Sequence, residues 1–136
     1  MMSEEQSSQP LKVLIADDDP AILRLVKAIV EKEGHEVILA RDGKEAYKLL
    51  QSGKQFGAAI FDVVMPYIQG NELVKFMHTD EKLKNIPVLM MTAEQNPAIS
   101  SDSFSSGAIA FLPKPFTAAQ LKVMLQMFRQ KRKKVE

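Results

Sequence analysis

The sequence predicts an α/β fold built on a doubly wound parallel sheet. Short β-type runs recur at residues 12–16, 36–40, 58–61, 87–91 and 108–112, and each is followed by a helical pattern or by a loop leading to one. Strands this short and this apolar must be covered on both faces, which parallel strands joined by right-handed helical crossovers achieve. A chain of 136 residues with 46% hydrophobic and 26% charged content suits one domain with a full core and leaves no room for a second. The expected organisation is a leader over 1–10, a domain over 11–130 and a basic tail over 131–136.

After the first strand, Asp19 is placed as an N-cap with Pro20 at the first helical position. Ile22, Val26, Ile29 and Val30 then form an apolar stripe before Gly34 stops the helix. The second helix opens with Asp42-Gly43-Lys44-Glu45, a capping-box variant, and aligns Ala46, Leu49 and Leu50 ahead of Gly53. A third helix starts near Gly70 and uses Leu73, Val74 and Met77. The segment 96–106, NPAISSDSFSS, has weak helical periodicity, although the architecture asks for a helix there. The last helix opens with Thr117-Ala-Ala-Gln120, a second capping box, and carries Leu121, Met124, Leu125 and Phe128 on one stripe that Val123 and Met127 widen.

Composition narrows the function classes. A formal net charge of +1 gives no global attraction to nucleic acid or anionic membrane. No apolar run approaches the length of a membrane span. The opening MMSEEQSSQP has neither the basic start nor the apolar middle of a signal peptide, so a cytoplasmic location is expected. With no cysteine, disulfides, thiolate metal sites and cysteine nucleophiles are excluded. The basic run from Arg129 to Lys134 is read as favourable charge at a helix C-terminus rather than as a nucleic-acid patch. His35 and His78 stand apart from each other and from any acid cluster, and are assigned packing or surface roles.

In doubly wound folds ligands bind outside the carboxyl ends of the strands. The first strand ends in Asp17-Asp18, the third in Asp62, the fourth in Thr92, and Lys114 follows the fifth. Adjacent carboxylates repel, so a run of three acids at Asp17–Asp19 needs relief from a cation or a helix N-terminus. Asp19 has the helix. Asp17, Asp18 and Asp62 can share a hard divalent cation such as Mg2+, which takes oxygen ligands. Three carboxylates, a dication and the Lys114 ammonium sum to zero, which leaves the site able to receive a phosphoryl group.

At this point the sequence resembles the receiver domain of bacterial two-component response regulators, of the chemotaxis-type, single-domain kind. The acid pair after the first strand, Asp62-Val-Val-Met65-Pro66 with Gly70 following, Thr92-Ala93, and Lys114-Pro115-Phe116 occur in family order. The resemblance implies a flavodoxin-like five-stranded sheet in the order 2-1-3-4-5 with about five helices. It implies that Asp62 accepts a phosphoryl group from a sensor histidine kinase or phosphotransfer protein. Mg2+, replaceable by Mn2+, would be held by Asp18, Asp62 and the backbone carbonyl of Val64, with Asp17 acting through a bound water. Thr92 and Lys114 would hold phosphoryl oxygens, and the Lys114-Pro115 peptide would be cis. Thr92 and Phe111 would form the switch, and the fourth helix, fifth strand and fifth helix the face read by a downstream protein. Val64 and Glu94 would tune the lifetime of the phosphorylated state.

The protein is therefore expected to be a signalling phosphoacceptor rather than a turnover enzyme, with no specific DNA binding, no membrane association, and a homodimer on phosphorylation as a further expectation. The rival is a phosphohydrolase of the haloacid dehalogenase type using Asp17 and Asp19. It lacks a late acidic pair, has Ala21 where a Thr or Val is usual, and leaves Asp62-Val-Val-Met-Pro unexplained. A receiver belonging to a larger regulator or hybrid kinase, or one that binds partners without phosphorylation, completes the alternatives.

Overall fold

The computed structural model describes residues 10–93 and 107–135. Five parallel strands, β1 (Lys12–Ala16), β2 (Glu36–Ala40), β3 (Ala58–Asp62), β4 (Val88–Thr92) and β5 (Ala110–Pro113), form one sheet in the order β2-β1-β3-β4-β5. The described helices are α1 (Pro20–Lys32), α2 (Gly43–Gln51), α3 (Gly70–His78) and α4 (Ala118–Val135). The helix expected within 96–106, and Glu94 with it, lie outside the described residues. α4 runs as far as Val135, so the basic run from Arg129 to Lys134 lies at its C-terminal end.

Strand alternation sorts the core into two layers. Leu14, Ala59, Phe61 and Met90 join Leu50, Leu73, Val74 and Met77 of α2 and α3 on one face. Val13, Ile15, Ile60, Leu89 and Met91 join Val26 and Val30 of α1 and Leu121, Leu125 and Phe128 of α4 on the other. Because every strand is covered twice, β1, β3 and β4 contain no polar residue before their carboxyl ends apart from Lys12 at the start of β1. The sheet thus delivers its buried polar side chains, Asp62 and Thr92, at the carboxyl ends of its strands.

The helix starts follow the capping chemistry. The Asp19 carboxylate accepts from the Ala21 N–H at 2.9 Å, with Pro20 beginning α1. Thr117 and Gln120 form a complete capping box, their side chains accepting from each other's backbone N–H at 3.1 and 2.8 Å. At α2 the expected box is shifted. Asp42 accepts from the Glu45 N–H at 2.8 Å, but the Glu45 carboxylate reaches past Asp42 to the Arg41 N–H at 2.8 Å and also grips the Arg41 guanidinium. A guanidinium on the neighbouring residue outcompetes the plain return bond by adding charge to the same contact.

Candidate functional site

The sheet order reverses direction between β1 and β3: β2 lies on one side of β1, and β3, β4 and β5 follow on the other. A crevice forms at the carboxyl ends of two such strands because their crossovers leave on opposite faces. Asp17 and Asp18 follow β1, and Asp62 ends β3 at that position. Paired main-chain bonds fix the rim: the Asp17 N–H donates to the Ala40 carbonyl at 3.2 Å, Val63 to Met91 at 2.8 Å, and Lys114 to Thr92 at 2.8 Å.

Asp17, Asp18 and Asp62 each offer a carboxylate oxygen within 4.8 Å of the others. Asp17 is fully buried, Asp62 is 6% exposed, and Asp18 faces solvent. The Lys114 ammonium crosses from the far edge of the sheet to lie 2.7 Å from one oxygen of Asp17 and 3.6 Å from Asp62. The other Asp17 oxygen accepts from the Asp19 N–H at 2.9 Å. Asp17 is therefore satisfied on both sides, whereas Asp62 shares a cation already engaged. Burial, and next the Asp17 carboxylate, push Asp62 up to about 6; Lys114 opposes this, Asp18 adds to it, and a bond from the Val64 backbone opposes it again.

This donor set fits a hard dication. Three carboxylates converge from two strand ends, burial and then the neighbouring carboxylates raise Asp62, and the Lys114 ammonium compensates only part of the charge. Thr92, 1% exposed, ends β4 beside this cluster, and the peptide after Lys114 is cis to Pro115. Phe111, in the middle of β5, packs partly buried against the α2–α3 layer. Val64 is 48% exposed on the loop leaving β3. Asp19, by contrast, caps α1 from an exposed position and is not one of the three clustered carboxylates, which disfavours the phosphohydrolase pairing of Asp17 with Asp19.

Two features of the surroundings were beyond the sequence patterns. A Cβ on Gly70 would meet the Asp62 carbonyl oxygen and the Met90 methyl, so only glycine lets α3 start this close to β3. Glu72 accepts from the Gln69 N–H at 2.9 Å, a box that begins on glutamine rather than on a usual capping residue. His35 is buried, and its Nδ1 accepts from the Leu11 N–H at 3.0 Å, the packing role expected of it.

Residues 13–126 match the family model of the response regulator receiver domain. The chemotaxis protein CheY-3 of Vibrio cholerae is 38% identical over 116 residues, which are 85% of this chain and 88% of that protein. The structure of the chemotaxis response regulator CheY4 of Vibrio cholerae aligns with a TM-score of 0.81 at 35% identity, covering 88% of this chain and 99% of that one. The same fold appears in the receiver domain of the sensor histidine kinase PA1611 of Pseudomonas aeruginosa, solved with magnesium in its active-site cleft: TM-score 0.81, 22% identity, coverage of 90% and 99%. With its sheet order and its strand-end acids in place, the chain belongs to the response regulator receiver family.

Proposed function

We propose that this receiver is a phosphoacceptor switch in which Asp62 takes a phosphoryl group from a histidine kinase or phosphotransfer protein. The observation that carries the reading is the unequal sharing of Lys114, 2.7 Å from Asp17 and 3.6 Å from Asp62, with a third carboxylate alongside. An Asp62 oxygen attacks phosphorus, the bond from phosphorus to the donor imidazole breaks, and its electron pair stays on that nitrogen. With its proton lost above about 6, Asp62 is the free nucleophile around neutral pH.

Asp18, Asp62 and the Val64 carbonyl are the residues that would hold Mg2+ or Mn2+, with Asp17 acting through a bound water. When bound, the ion supplies neutralisation of charge on the transferring phosphoryl oxygens. Lys114 pairs with one phosphoryl oxygen, a short move given that Asp62 is already within 3.6 Å, and the Thr92 hydroxyl donates to another. Thr92 and Phe111 then carry the change to the surface made by β5 and α4. Val123 and Met127 stand exposed on α4, giving that surface apolar area for a protein target or a second copy. No described helix is long and apolar enough to cross a membrane.

Incubation with acetyl phosphate and Mg2+ should add one phosphoryl group, labile to hydroxylamine, as read by intact mass. Asp62→Asn should take none. Undiminished labelling of that variant would sink the assignment.

A further inference from the structure

Between Val63 and Gly70 the chain leaves β3 and turns into α3. Both ends are pinned, since Val63 donates to the Met91 carbonyl at 2.8 Å and Gly70 to the Val63 carbonyl at 2.9 Å. Inside this lobe Met65 is buried, whereas Val64 and Tyr67 are exposed. At Tyr67 the backbone enters the left-handed region, φ +73°, and the Ile68 N–H bridges back to the Pro66 carbonyl at 2.9 Å. That is a three-residue turn of the strained hand, on a residue with a bulky side chain. Such a conformation persists only where the surroundings over-determine it.

The surroundings come from a different unit of the fold. The first turn of α2 presents Gly43 directly to the Ile68 backbone: a Cβ there would land on the Ile68 carbonyl oxygen. One residue on, the Lys44 ammonium lies 5.6 Å from the centre of the Tyr67 ring, within cation–π range. The platform itself is fixed by the Asp42 cap and by the Glu45 carboxylate bound back to Arg41.

We propose that Gly43 and Lys44 are positioning residues, holding the Tyr67–Ile68 turn against α2 and thereby setting the Val64 carbonyl at the metal site. This rests on the phosphoacceptor reading above, which assigns that carbonyl to the ion. Neither residue touches the ion or the phosphoryl group; each acts through the loop.

The test is Mg2+ titration of the full chain, followed by amide chemical shifts, for the parent and five variants. Gly43→Ala should weaken Mg2+ binding about tenfold, the effect of roughly one misaligned ligand. Lys44→Met should weaken it about two- to fivefold, the range expected for an exposed cation–π contact, and Lys44→Arg should restore it. Gly53→Ala is the control, because Gly53 has φ +90° with nothing within 4 Å of an added Cβ. It should lower stability and leave Mg2+ affinity alone. In a Tyr47→Phe background, the Tyr67 ring signals should move with Mg2+ saturation. If the parent binds Mg2+ and labels on Asp62 while Gly43→Ala and Lys44→Met match its affinity, the platform is overturned and the functional reading stands. A parent that neither binds Mg2+ nor labels overturns both. Should Gly43→Ala fail to fold, the Lys44 pair decides.

Discussion

The two ends of the sheet handle buried polarity in opposite ways. At the amino end, near the start of β1, a buried imidazole nitrogen of His35 meets one backbone donor, Leu11 N–H, at 3.0 Å. That acceptor meets a donor at the amino end of the core. At the carboxyl end, Asp17, Asp18 and Asp62 crowd together, and among the described residues the Lys114 ammonium is shared between Asp17 and Asp62. Buried polar groups are ordinarily matched, because an unmatched one forfeits its solvation. A structure that keeps an imbalance at one end and matches the other has placed there a demand that a metal ion and an incoming phosphoryl group can meet.

Removing the shared cation should produce the largest effect. Asp17 is fully buried, so Lys114→Met leaves its charge without the ammonium and held by the Asp19 N–H, and stability should fall by about 3 kcal/mol as for other broken buried pairs. Urea unfolding measures this, and adding Asp17→Asn to the same chain should recover most of the loss. The matched end behaves differently. His35→Ala should cost about 2 kcal/mol, through a lost hydrogen bond and a small cavity, yet leave the rate of labelling by acetyl phosphate unchanged. Equal loss of labelling in the two variants would erase the distinction between the ends.

Much of this was legible in the chain because local rules and global fold agree. The strand runs, the Asp19 and Thr117 caps and the strand-end acids each follow from residue types within a few positions of one another. What could not be read depends on approach through space. His35 finds Leu11 across 24 residues, Gly43 owes its lack of a side chain to Ile68, and Gly70 to Asp62. The shifted box at Arg41 escaped because capping rules consider the backbone and not a competing guanidinium next door. For the site, residue identities were legible, but the preference of Lys114 for Asp17 over Asp62 was not, since nothing in the spacing fixes where a long flexible side chain rests.

The imbalance also predicts a pH signature. Folding raises Asp62 to about 6, so the folded protein keeps this proton to higher pH than the unfolded chain does. Below about pH 4 both states are protonated and the site imposes no penalty; the penalty grows as pH rises toward about 6 and persists above it. In metal-free buffer Asp62→Asn should therefore leave stability unchanged near pH 4 and raise it by about 1–2 kcal/mol above pH 6, allowing for solvent access to the crevice. Mg2+ should shrink that gain, because a dication favours the ionised parent. A variant less stable than the parent at all pH values, as judged by urea midpoints, would show that crowding at Asp62 is not a source of instability.

The smallest effect concerns how long the phosphoryl group stays. Val64 lies two residues after Asp62, is 48% exposed, and offers a water molecule no hydrogen bond from its side chain. Its backbone N–H donates to Asp62, while its side chain is an exposed apolar group two residues along the same loop. If Asp62 is phosphorylated as proposed, water attacking its phosphoryl group gains no hydrogen bond from this side chain. An amide in its place could orient that water, and one positioned hydrogen bond is worth roughly 1 kcal/mol, so Val64→Asn should speed phosphate loss several-fold. Because the substitution is at an exposed position and leaves the backbone unchanged, Mg2+ affinity and the labelling rate should hold while the decay rate moves. The measurement is loss of label from isolated phosphoprotein in Mg2+ buffer. A decay rate equal to or below the parent's would mean that the apolar side chain of Val64 does not govern the lifetime.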